Sequence, residues 1–305
     1  MKLFQFLITE EYDGERIDKS ISELTEETVS RSYLQKRIKE EQVFVNGKTV
    51  KASYRLKTDD YVSFEIPENI DPEIMPENIP LSILYEDEDI IVVDKPKGMV
   101  VHPSSGHFEH TLVNALLFHC KDSLSGINGV LRPGIVHRID KDTTGSIIVC
   151  KNDESHKRIA KQLKEHTIVR KYRAICYGVL KDDEGTINAP IGRDKKDRKK
   201  MAVNEVNGKN AITHYRVLER FREYTYIECR LETGRTHQIR VHMASIGHPL
   251  LGDEVYTNRK CPYQLTGQTL HAYILGFVHP RSNEYIETTA PLPDYFEKLL
   301  KKLPK

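Results

Sequence analysis

Apolar and polar positions follow two different rhythms along this chain. Near the amino terminus Ile17, Ile21 and Leu24 recur at helical spacing, and Leu34 and Ile38 repeat four apart in a second helix that Ser30 is placed to cap. VFVNGKTV then alternates about an Asn-Gly pair, a strong hairpin signal, and Asp59, Asp60, Tyr61, Val62 and Phe64 read as a turn and a strand. A small α/β module over residues 12–66 is expected. PENIDPEIMPENIP, residues 67–80, has four prolines, four acids and little apolar periodicity, and reads as an extended linker. From 81 to 305 strand-length apolar runs predominate. Helices are expected at 111–119, 156–165 and 236–246, the last closed by Gly247 and Pro249. Strands mostly follow one another through short turns, so the expected class is α+β with a largely antiparallel sheet.

Charge adds local detail. The net charge is only +1 over 305 residues, so no global excess marks a nucleic-acid partner. Residues 31–57, however, carry eight Lys or Arg against two Glu, and RDKKDRKK at 193–200 carries six against two acids. Residues 67–89 hold eight acids and no Lys or Arg. Such patches suit a protein that offers selected surfaces to phosphates, although ordinary solvated surface accounts for either patch alone. Five cysteines without CxxC spacing fit reduced thiols. The first residues are too acidic for a signal peptide, and no run approaches the ~20 apolar residues of a membrane helix. A soluble cytoplasmic protein is expected, with no membrane partner. His237 and His242 fall on different helix faces, and no HExxH or Cys/His ligand spacing occurs, so no metal is expected. Neither GxxxxGK nor GxGxxG is present, and no nucleotide cofactor is expected.

The stretch richest in chemistry is GIVHRIDKDTTGSIIV at 134–149. It reads as a strand at 135–139, a polar turn with Asp142 and Gly145, and a strand at 146–149. Period-two alternation puts Val136, Arg138 and Asp140 on one face and Ile135, His137 and Ile139 on the other. A carboxylate beside a guanidinium at a strand lip suits nucleophilic attack steered by a cation. On spacing alone, an ion pair closing a hairpin is the simpler account. Tyr172 lies on an alternating strand, where residue type alone makes it core. Arg235, just ahead of the helix expected from 236, lies in a positive field suited to carboxylate or phosphate.

HRIDKDTTG at 137–145 closely resembles the catalytic motif, usually HRLDxxTSG, of the RluA family of pseudouridine synthases. Four further stretches match that family in order: YEDEDIIVVDKPKGMVVHP at 85–103, RKYRAICYG at 170–178, LETGRTHQIRVHMASIGHPLLGD at 231–253 and LHAYILGFVHP at 270–280. Ile139, Thr144 and Ser146 stand where the family has Leu, Ser and an apolar residue. Residues 12–66 resemble the S4 RNA-binding domain. The resemblance implies the pseudouridine synthase fold, an α+β domain at 81–305 with a mostly antiparallel mixed sheet. It also implies isomerisation of uridine in RNA without a cofactor. Asp140 is then the nucleophile, Arg138 fills the space left by an everted base, and Tyr172 orients uracil and assists proton transfer from C5. By the same resemblance Arg235 pairs with Asp140, while Arg240 is expected to meet RNA backbone or solvent. Arg31, Lys36, Arg37 and Lys48 in the module are expected phosphate contacts, as are Lys195, Lys196 and Arg198 in the basic segment.

An S4 module ahead of the catalytic domain resembles the large-subunit ribosomal branch, with transfer RNA the lesser alternative; the chain is expected to act as a monomer. One rival is an RNA-binding assembly factor with little chemistry. Another is a retaining glycosidase, which needs a second carboxylate about 5–5.5 Å from the first; only Asp142 is near in sequence.

Overall fold

The computed structural model describes the chain except residues 1, 26–30, 67–73, 104–107, 122, 130–131, 195–196 and 198–199. Ser30, Lys195, Lys196 and Arg198 therefore lie outside the described residues. The chain divides into two units, Met1–Asp71 and Pro72–Lys305.

The first unit runs β1 (Lys2–Leu7), α1 (Ile17–Leu24), α2 (Arg31–Lys39), β2 (Val43–Val45), β3 (Lys48–Thr49) and β4 (Tyr61–Ile66). Its sheet order is β1-β4-β2-β3. Ile17, Ile21, Leu34 and Ile38, the helical positions read from spacing, pack on Val43, Val62 and Phe64. Asn46 and Gly47 both adopt positive φ, 50° and 75°, as the tight turn between β2 and β3 requires. Strand β1 lies ahead of the module read from sequence. Its alternating KLFQFL sends Phe4 inward, where it stacks on Phe64 at 5.2 Å.

The second unit continues with β5 (Ser82–Glu86), β6 (Ile90–Lys95), α3 (Leu112–Cys120), β7 (Thr144–Cys150), α4 (Asp153–Lys164) and β8 (Val169–Tyr177). Then come β9 (Glu184–Asn188), β10 (Ile191–Arg193), β11 (Met201–Val203), β12 (Ile212–Arg220), β13 (Tyr224–Leu231), α5 (Gln238–Ser245), β14 (Leu270–Val278), β15 (Tyr285–Thr289) and α6 (Asp294–Lys302). The large sheet is ordered β5-β6-β7-β14-β8-β13-β12-β9, with β15 also on β14. Among the described residues its one parallel pairing, β14 with β7, makes it mixed and mostly antiparallel, as the sequence predicts. That pairing needs Gly145 (φ 106°): a Cβ there would lie 2.3 Å from the carbonyl oxygen of Ala272.

Three boundaries differ from the sequence reading for local reasons. The described second half of the expected linker, 74–80, is packed. Ile74 is buried in the main core, and Asn114 of α3 donates to the carbonyl of Met75 at 2.9 Å. α4 starts before 156 because the Asn152 side chain caps it, accepting the Ser155 N–H at 2.9 Å. α5 starts at Gln238 because His237 takes a left-handed conformation. Its other end is as read, with Gly247 at φ 85° just beyond. Among the described residues no helix is long and apolar enough to cross a membrane.

Candidate active site

Residues 135–140 run beside β7 but make only one bridge to it, Ile135 with Val149. Beyond it His137 Nε2 accepts the N–H of Ile148 at 3.0 Å, so a side chain takes the place of a strand partner. Burial pushes this imidazole down to about 3, leaving the ring neutral and able to accept. The expected strand at 135–139 is thereby corrected to a bridge and a side-chain bond. Its backbone leaves the ladder, and Arg138 and Asp140 line a cavity of about 460 Å³. Lys95 anchors the turn that follows. Its buried ammonium donates to the carbonyls of Pro96, Met99 and Lys141 at 2.8, 2.8 and 2.9 Å. Burial lowers its pKa to about 7 against the pull of Asp142 and Asp140.

The Asp140 side chain is 17% exposed, and its Oδ2 accepts from Arg240 Nη1 at 3.0 Å. Arg240, in the first turn of α5, also grips Asp253 bidentately, Nε to Oδ2 at 2.7 Å and Nη2 to Oδ1 at 3.0 Å. Burial opposes its charge, but Asp253 and then Asp140 outweigh burial and raise its pKa. The other oxygen, Oδ1, faces His237 Nε2 at 3.8 Å, beyond hydrogen-bond range.

The expected Arg235–Asp140 pair is therefore replaced by Arg240–Asp140. Arg235 precedes α5, its N–H held by Gln238 Oε1 at 2.9 Å, and its Nε donates to the Asn210 carbonyl at 2.9 Å. Arg240 is buried against two carboxylates, not directed to solvent. Tyr172 is 7% exposed and lines the cavity wall. Burial raises its phenol pKa, Arg170 opposing and Asp140 adding. Arg138 lines the cavity, is exposed, and has no hydrogen-bond partner among the described residues. Arg170 is 7% exposed; its Nη2 donates to the Glu232 carbonyl at 3.1 Å, and its Nε has no partner among the described residues. The wall thus combines Arg138, Lys164, Arg170, Arg235 and Arg240 with one described carboxylate, Asp140. Asp142 does not line it, so the second acid of a retaining glycosidase is missing from the described cavity.

Elsewhere, Asp87, Asp89 and His279 lie together, but Tyr85, Arg281, Asn152 and Ser155 already bond their carboxylates. Arg31 of the first unit is bound to the buried Asp18, and Arg37 contacts Glu40 and Gln42. Lys36 and Lys48 are exposed.

A family model described as RNA pseudouridylate synthase matches residues 89–245, and an S4 domain model matches 15–62. The chain belongs to the RNA pseudouridylate synthase family. It is 52% identical over 305 residues to an uncharacterized RNA pseudouridine synthase of Bacillus subtilis, covering 100% of this chain and 99% of the relative. It is 45% identical over 309 residues to ribosomal large subunit pseudouridine synthase D of Zymomonas mobilis, covering 98% and 97%. The solved structure of human RNA pseudouridylate synthase domain containing 1 shares the fold, with a TM-score of 0.58 at 24% identity over 75% of this chain and 98% of that one. Arg240, Asp253, His237, Tyr256 and Arg170 are the site residues to which the sequence assigns no place in the site. For Arg240 the helix spacing is visible, but its partner lies a hundred residues away.

Proposed function

We propose that this chain isomerises particular uridines of large-subunit ribosomal RNA to pseudouridine, with Asp140 as nucleophile. One observation carries the reading: a carboxylate on the wall of a cation-lined cavity shared with Tyr172, with one oxygen held by a buried arginine and the other in no hydrogen bond among the described residues. The name of the Zymomonas relative supports the ribosomal substrate. Everting a stacked uridine costs a few kcal/mol, and Arg138 fills the gap, a role that its exposure at the cavity supports. Asp140 Oδ1 then attacks, and the adduct splits one difficult step into two. The net change breaks C1′–N1, forms C1′–C5 and moves a proton from C5 to N1. Tyr172 orients the ring and assists loss of the C5 proton. We further propose that the protein works as a monomer in the cytoplasm, for which its five free cysteines suit a reducing compartment.

The test is base-resolved mapping of pseudouridine after incubating unmodified large-subunit rRNA with the protein. Modification is expected at discrete uridines, lost in Asp140→Asn with RNA affinity retained. Full modification by that variant removes the nucleophile, and an unmodified rRNA beside a tRNA modified in a parallel incubation moves the substrate.

A further inference from the structure

We propose that His237 is a positioning residue, held as its Nε2–H tautomer by Tyr256 so that it orients the reactive oxygen of Asp140. The inference rests on the reading of Asp140 as nucleophile. The two oxygens of that carboxylate have unlike neighbours: Arg240 bonds Oδ2, while His237 Nε2 lies 3.8 Å from Oδ1, a separation at which an N–H dipole attracts the carboxylate without a hydrogen bond. His237 reaches this place through a left-handed backbone, φ 56° and ψ 20°, at the residue just before α5.

Tyr256 holds the imidazole. Its Oη lies 2.7 Å from His237 Nδ1 and accepts the N–H of Met201 at 3.0 Å. The phenol then donates its own hydrogen to Nδ1, placing the ring hydrogen on Nε2. The opposite tautomer would leave the phenol hydrogen without an acceptor among the described residues and aim a lone pair at a carboxylate. Burial keeps the imidazole from charging: it lowers the pKa, with Arg240 and Arg138 acting in the same direction and Asp140 and Asp253 against it. The Arg240 guanidinium lies over the same tyrosine ring, 5.1 Å from its centroid. One side chain thus braces both the arginine on Oδ2 and the histidine before Oδ1.

The experiment measures single-turnover pseudouridine formation and RNA affinity with the full chain. Tyr256→Phe keeps the ring under Arg240 and removes only the phenol; about a tenfold slower rate is expected, with the dissociation constant within about twofold of wild type. His237→Leu, lacking the N–H, is expected to slow by about tenfold or more. Gln offers a side-chain N–H with no tautomer to set, so His237→Gln is expected to be only about threefold slower. Adding Tyr256→Phe to it should then change the rate less than about twofold. An unaltered rate in Tyr256→Phe, or effects of Tyr256→Phe and His237→Gln that multiply, overturns the proposal and leaves Asp140 in its role. A rate retained in Asp140→Asn overturns the reading beneath it.

Discussion

Each unit of this chain has an aspartate met by arginine, at Asp18 and at Asp140, and the two are surrounded differently. Asp18 is fully buried, and its oxygens accept from Arg16 Nε at 3.0 Å, Arg16 Nη2 at 3.1 Å, Arg31 Nε at 3.1 Å and Gln35 Nε2 at 2.5 Å. Burial works to raise its pKa, but bonds from Arg16, Gln35 and Arg31 outweigh that and hold it well below the usual carboxylate range. Asp140 keeps one oxygen out of hydrogen bonding among the described residues and 17% of its side chain exposed. A saturated carboxylate can only stabilise; an unsaturated one at a cavity can react. Arginine alone therefore does not mark a nucleophile. The deciding feature is that Arg240 is itself held from behind by Asp253 through Nε and Nη2, so that it reaches Asp140 through Nη1 alone.

Replacing each acid in turn breaks this contrast most forcefully if it is wrong. Asp140→Asn is expected to lower single-turnover pseudouridine formation by about 10³-fold or more while the thermal midpoint and RNA affinity hold. Asp18→Asn is expected to do the reverse: the rate per folded molecule stays, while the midpoint of the first unit falls by roughly 10 °C as its arginines lose their buried partner. Similar profiles for the two variants would show that saturation does not separate the roles.

The sequence makes one side of this contrast far clearer than the other. Strands, the Asn-Gly hairpin and the Asp140 turn are legible because each depends on neighbours within a few residues. Arg240 is not, since its partnership requires knowing that α5 begins at Gln238, after a left-handed His237 that the apolar spacing does not signal. An expected start at 236 points instead to Arg235 as the guanidinium at the helix entrance. Strand β1 carries a readable alternation, Phe4 and Phe6 against Leu3, Gln5 and Leu7, yet it lies outside the 12–66 module expected from spacing. Residues 74–80 mislead by composition. Prolines and acids conceal Ile74, whose burial depends on a core assembled from distant strands.

Tyr172 sharpens the reactive side. Tyr172→Phe keeps the ring against the cavity and removes the phenol, so an approximately 10²-fold loss of rate with little change in RNA affinity is expected if the hydroxyl assists loss of the C5 proton. An unchanged rate would confine Tyr172 to stacking. Acid sharpens the structural side with a smaller effect. Because the native pKa of Asp18 lies below its unfolded value of about 3.9, its stabilisation is complete above that value and declines as pH falls toward the native one. Thermal midpoints of wild type and Asp18→Asn should therefore converge as pH drops from about 5 to about 3. A gap that stayed constant would mean that the charge of Asp18 is not what its donors stabilise.

The smallest expected effect separates cations that serve the fold from cations left for phosphate. Arg31, Lys36, Arg37 and Lys48 have the same appearance in sequence. In the structure Arg31, though 52% exposed, reaches the buried Asp18 at 3.1 Å, and Arg37, 15% exposed, lies 3.4 Å from Glu40, whereas Lys36, 72% exposed, meets the same Glu40 only at 3.8 Å. Lys48 stands on the short exposed strand β3. Lys36→Ala and Lys48→Ala should each reduce the slope of log affinity against log salt by about 0.7–0.9, because a phosphate that the protein no longer neutralises keeps its counterion. Neither should move the thermal midpoint. Arg31→Ala should lower the midpoint and change the slope less than either lysine, since its guanidinium is tied to Asp18, a carboxylate it shares with Arg16. A changed slope with an unchanged midpoint would return Arg31 to the RNA and leave Asp18 to be satisfied by Arg16 and Gln35.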